Sequence, residues 1–179
     1  WLDSQNKNIL VYNLGVYGDT SKRLLARFEA ESKARIEKNS ETLFLIQIGS
    51  NDSAFLKQHN VNWVALEDFK ANLIKLIESA NSFKPCKIVF VGLTKVDESK
   101  TMPIPWSTNV FYSNKSVSEY DSVIKQVCEE KNILFLDLLS ELNKVRQTEI
   151  QFKDGLHLNS KGHEKAFDLV KDFLFEKKL

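Results

Sequence analysis

The chain has 179 residues, 42% of them hydrophobic and 27% charged, with 25 Lys and Arg against 24 Asp and Glu for a formal net charge of +1. That is the size and composition of one globular domain spanning residues 1–179, and its interleaved charges offer neither a basic stripe for nucleic acid nor a polybasic arm for a membrane surface. No apolar run approaches a membrane span, and Cys86 and Cys128 lack the spacing of a metal or redox pair, so a reducing, cytoplasmic setting is the simplest expectation.

Residues 1–8, "WLDSQNKN", read as the end of a helix leading into an apolar strand, "ILVY", at 9–12. The strand is followed by "NLGVYGDTS" (13–21), a turn with Gly15 and Gly18 and with Thr20 or Ser21 as N-cap of the next helix. Free backbone N–H groups in such a turn can hold an anion or an oxyanion. The glycine spacing fits neither a Walker loop nor a dinucleotide fingerprint. Leu25, Phe28, Ser32 and Ile36 then share one helical face.

A second strand is expected over "TLFLIQIG" (42–49), and "GSNDS" (49–53) at its mouth places Asn51 where a side-chain amide can act as a preorganised donor. "SAFLKQHNVNW" (53–63) comes next and includes His59, read as a surface residue. Leu66, Phe69, Leu73, Leu76 and Ile77 mark a helix, and "KIVFVGL" (87–93) a third strand. The longest irregular stretch, "TKVDESKTMPIPWSTNVFYSNKS" (94–116), has the length of a lid or binding loop, with Trp106, Phe111 and Tyr112 as candidate walls of a substrate pocket.

Val117, Tyr120, Ile124, Val127 and Cys128 form the face of another helix before a last strand, "ILFLD" (133–137). "FKDGLHLNSKGHEKA" (152–166) follows, with Asn159 or Ser160 as N-cap of a final helix whose apolar positions are Phe167, Val170, Phe173 and Leu174. Continuous apolar strands alternating with amphipathic helices predict an α/β fold with a mostly parallel sheet covered on both faces, and ligands in such folds bind beyond the carboxyl ends of the strands. Asp154 stands three residues before His157, a spacing that lets a carboxylate orient an imidazole and stabilise its protonated form, as a general base requires.

"NLGVYGDTS", "IGSNDS" and "DGLHLNSKGH", in this order, resemble the second, third and last blocks of the GDSL or SGNH hydrolase family over about residue 9 to the C-terminus. The resemblance implies a three-layer α/β/α, flavodoxin-like fold and a serine esterase or acylhydrolase acting on a small-molecule ester, with no metal or cofactor. It implies Gly18 as backbone oxyanion donor, Asn51 as side-chain oxyanion donor, His157 as general base and Asp154 as its partner. His163 has no catalytic counterpart and is expected to pack or cap the last helix.

The family's nucleophile block, a Gly-Asp-Ser-Leu-like stretch after the first strand, has no match in this sequence. Ser4 is not that nucleophile, because no apolar strand precedes it and a parallel crossover needs a dozen or more residues, whereas "ILVY" begins five positions later. The expectation is therefore that the serine, a central strand and a crossover helix lie upstream of Trp1, and that the chain without them is inactive. Two rival readings remain: a non-catalytic, hydrolase-derived domain that binds an acyl or sugar ligand, and a metal site on Asp154, His157 and His163.

Overall fold

Three of the four apolar runs pair in the computed structural model, which describes residues 9–37 and 40–179. They form a parallel sheet of β1 (Thr42–Ile46), β4 (Cys86–Val91) and β6 (Leu134–Leu136), in the order β1-β4-β6. Thr42 lies opposite Cys86, and Val89 opposite Leu134. A second, antiparallel sheet joins β2 (Phe55–Leu56), β3 (Val61–Asn62) and β5 (Val110–Phe111), in the order β3-β2-β5. The helices are α1 (Ser21–Lys33), α2 (Leu66–Asn81), α3 (Glu98–Thr101), α4 (Asn114–Lys131), α5 (Leu138–Leu142), α6 (Gln147–Ile150) and α7 (Ser160–Glu176).

Alternation along the strands sorts the core into two bodies, one on each side of the parallel sheet. Ile88 and Phe90 of β4 face a large cluster with Phe28 of α1, Phe69, Leu73, Leu76 and Ile77 of α2, and Val117, Tyr120, Ile124 and Val127 of α4. Val91 and Leu136 face a smaller cluster with Leu138 and Leu142 of α5, Ile150 of α6 and the inner side of α7. Side chains pointing alternately to two apolar layers explain why these strands carry no polar alternation. Phe69 and Tyr120 meet at 5.0 Å between ring centroids, within the range of favourable aromatic pairs, and the Tyr120 hydroxyl donates to the carbonyl of Val64.

The fourth run is a correction. Residues 9–12 are not a strand, and Leu10, Val11 and Tyr12 are exposed. A strand exists only where a neighbour completes its backbone hydrogen bonds; β1 is the edge of its sheet among the described residues, and 9–12 pairs with none of them. Hydrophobicity alone therefore does not make this segment a strand. Its expected predecessor, the helix end at 1–8, and Ser4 with it, lie outside the described residues.

The irregular stretch at 94–116 is more ordered than its composition suggests. It holds α3, then β5, which pairs with β2 so that Phe55 faces Phe111. The 53–63 segment is the β2–β3 hairpin of the same small sheet. Residues of the two segments thus form one small sheet. No helix among the described residues is long and apolar enough to cross a membrane.

Candidate active site

Asp154, Gly155, Leu156 and His157 fold into a turn held by the aspartate itself. Its Oδ1 accepts from the backbone N–H of Leu156 at 2.9 Å and of His157 at 3.0 Å, and its Oδ2 lies 2.8 Å from His157 Nδ1. An ionised carboxylate only accepts, so Nδ1 carries the proton and Nε2 is the basic nitrogen. Burial opposes ionisation of Asp154, but the bonds from His157 and Leu156 outweigh it, and its pKa is lowered from the ordinary value. The aspartate side chain is 14% exposed and the histidine 50%, so the imidazole faces solvent while the carboxylate is sheltered.

Gly155 is what lets this turn dock. Its φ is +76°, and a Cβ there would lie 2.8 Å from Lys100 Cβ and 3.0 Å from the Asp97 carbonyl oxygen. Its own carbonyl accepts from Asp97 N–H at 2.7 Å and from Gln151 Nε2 at 2.5 Å. The turn is thereby fastened to the segment that follows β4. From that same segment Trp106 lays its ring nearly parallel to His157, with 6.4 Å between centroids and 19° between planes.

The Gly18 and Asn51 loops make the other half. Thr20 occupies the N-cap position of α1 but makes no side-chain cap bond. The cap comes from across the molecule: Asp52, fully buried, takes the Ser21 N–H with both carboxylate oxygens, at 2.9 and 3.1 Å, and the Ser21 hydroxyl at 2.5 Å. Asn72 of α2 donates to that hydroxyl at 3.0 Å. A carboxylate at a helix N-terminus satisfies an otherwise unpaired N–H and complements the helix dipole. Burial nonetheless dominates, pushing the Asp52 pKa up against the Ser21 bonds.

Asn51, beside it, is gripped at both ends of its amide. Nδ2 donates to the Asp19 carbonyl at 2.8 Å, and Oδ1 accepts from the Tyr112 hydroxyl at 3.0 Å. Asp19 is itself held through its carboxylate by Arg27 Nε and Nη2, at 2.8 and 2.7 Å. An amide nitrogen has two hydrogens, and Asp19 takes one; the other has no partner among the described residues. Gly18 adopts φ +72°, and among the described residues beyond its chain neighbours no atom lies within 4 Å of where a Cβ would stand, which leaves room for close approach to its backbone.

The segment 94–116 joins the halves: Trp106 against His157, Asp97 on Gly155, Tyr112 on Asn51. Asn51 lies beyond the carboxyl end of β1 and the segment 94–116 beyond that of β4. Of the three aromatic residues expected to line a pocket, Trp106 is exposed beside His157. Phe111 is half-buried in β5, with the Lys57 ammonium 5.9 Å from its ring centre. Tyr112 is only 4% exposed, and its hydroxyl engages Asn51. His163 corrects its expectation: it is exposed on α7 and neither packs nor caps, since Asn159 caps that helix by accepting from Gly162 N–H at 3.0 Å. His59 is exposed. Among the described residues no three His, Cys, Asp or Glu side chains converge to hold a metal ion.

Sequence reasoning missed the Asp52–Ser21–Asn72 network and the Arg27 grip on Asp19. Separations of 31 and 51 positions leave no local pattern for the network, and Arg27 reaches Asp19 from eight positions along the chain.

Residues 1–165 match the GDSL-like Lipase/Acylhydrolase family. The chain is 27% identical over 126 residues to the human isoamyl acetate-hydrolyzing esterase 1 homolog; the match covers 68% of this chain but only 51% of that protein. Its fold is similar to that of an acetylxylan esterase from Geobacillus stearothermophilus, at TM-score 0.68 and 24% identity, covering 93% of this chain and 71% of the other. A lipase/acylhydrolase from Enterococcus faecalis superposes at TM-score 0.69 and 21% identity, covering 89% and 72% respectively.

Proposed function

Because the chain belongs to the GDSL-like lipase/acylhydrolase family, we propose that it serves a serine ester hydrolase in which His157 is the general base, Asp154 its partner, and Gly18 N–H and Asn51 Nδ2 the oxyanion donors. The observation that carries this reading is the 2.8 Å bond between His157 Nδ1 and Asp154 Oδ2, which directs the basic Nε2 outward. The nucleophile this reading requires is a serine. His157 Nε2 takes the serine proton as Oγ bonds to the ester carbonyl carbon, and the carbonyl oxygen becomes an oxyanion between Gly18 N–H and Asn51. Collapse breaks the bond to the alkoxy oxygen, which leaves as the alcohol with the proton returned by His157. Water repeats the sequence on the acyl-serine and releases the acid.

Small acyl groups are the substrates that this reading favours. The relatives are named for isoamyl acetate and acetylxylan, both acetyl esters. Trp106 beside His157 supplies an exposed aromatic face for the leaving group.

The test is to incubate the full-length protein with p-nitrophenyl acetate and with a fluorophosphonate probe. Hydrolysis, with covalent labelling of one serine that abolishes it, is expected. A protein that neither hydrolyses the ester nor takes the probe is instead a non-catalytic domain that binds an acyl or sugar ligand.

A further inference from the structure

We infer that Tyr112 is a positioning residue for Asn51, aiming the second N–H of that amide at the developing oxyanion; this rests on Asn51 being an oxyanion donor, as proposed above. The terminal torsion of an asparagine is broad and twofold, so nothing intrinsic to Asn51 sets which way its amide points. Two contacts set it here. The Asp19 carbonyl can only accept, so it selects the nitrogen; the Tyr112 hydroxyl, on the opposite side, donates to the oxygen. With both made, rotation about the terminal torsion is arrested and the remaining N–H has one direction. With Asp19 alone the amide pivots about a single bond.

Tyr112 is built to be immovable. Its N–H donates to the Thr101 carbonyl at 2.9 Å, and its own carbonyl accepts from Thr101 Oγ1 at 2.8 Å; Thr101 is fully buried. The ring has almost no exposure, so it cannot swing away with a ligand. Burial, with smaller contributions from Tyr17 and Asp52, pushes its pKa up to about 12, which keeps the hydroxyl protonated, hence a donor, wherever a neutral histidine can act as base. Donation to Oδ1 also polarises the amide and strengthens the bond its N–H makes, as linked hydrogen bonds do.

The experiment is a double-mutant cycle in the full-length protein with p-nitrophenyl acetate, using Tyr112→Phe, Asn51→Ala and both together. Tyr112→Phe keeps the ring and removes one oxygen. It is expected to lower kcat about tenfold with KM unchanged, by the same factor at every pH. Asn51→Ala is expected to lower kcat about a hundredfold, and Tyr112→Phe to add nothing in that background. A Tyr112→Phe protein with wild-type kcat, while Asn51→Ala is impaired, overturns the positioning role and leaves the oxyanion reading standing. Equal loss from Tyr112→Phe with and without Asn51 also overturns it, because the hydroxyl then acts elsewhere. Wild-type kcat in Asn51→Ala removes the oxyanion reading itself. Thermal midpoints of the variants separate these outcomes from unfolding: a positioning loss appears in kcat of fully folded protein.

Discussion

The two halves of the site are built on opposite plans. Asp154 and His157 are three residues apart, bond to each other within one turn, and leave the histidine half exposed. Gly18 and Asn51 belong to loops held by partners 31 to 61 positions away, in a buried network of Asp52, Ser21, Asp19 and Tyr112. In its proposed role as base His157 would have to reach a substrate and shuttle a proton, which suits its place at the surface on a short, self-contained support. In their proposed role as oxyanion donors Gly18 and Asn51 would have to stay fixed while charge develops, and fixed dipoles come from a packed interior. The two carboxylates register the difference: bonds to His157 and Leu156 prevail at Asp154 and lower its pKa, whereas burial prevails at Asp52 and raises it.

The strongest way to break this contrast is to separate activity from stability. His157→Ala is expected to lower kcat/KM of the full-length protein by about a thousandfold or more, while its unfolding free energy in a denaturant titration shifts by about 1 kcal/mol or less, because the imidazole is half exposed and one side-chain hydrogen bond is lost. Retained activity would remove His157 from the mechanism. Asp52→Ala should behave the other way, losing about 2 to 3 kcal/mol of stability as the α1 N-terminus and the Ser21 hydroxyl lose a buried acceptor; an unchanged denaturation midpoint would show that the loops are held by other means.

The smallest effect is the most discriminating. At Asp154 the folded-state pKa lies below the ordinary 3.8, so just below that pH the unfolded chain binds more protons, and stability rises with pH. At Asp52 the folded-state pKa lies above 3.8, so just above that pH the folded chain binds more, and stability falls with pH. Asp154→Asn should therefore flatten the acid rise, and Asp52→Asn should remove the loss on its upper side. Slopes from urea unfolding across acid pH check both; changes of the same sign in the two variants would contradict the opposed electrostatics.

The amino-acid sequence by itself determined whatever depends on near neighbours. The continuous apolar runs of β1, β4 and β6, the buried faces of α2 and α4, the Asn159 cap and the Asp154–His157 pair are patterns of period or spacing that a short window contains. Gly18 and Asn51 were marked by motifs, but nothing near them in the chain told what would hold them. "ILVY" shows the limit from the other side: its composition is that of a strand, yet the state of residues 9–12 depends on a partner, and none of the described residues provides one. Only the tertiary structure decided that Asp52 would cap a helix from another loop, that Trp106 would lie against His157, and that Tyr112 would give its hydroxyl to Asn51. Such contacts are set by how layers pack around the sheet, and their geometry exists only once distant segments have been brought together.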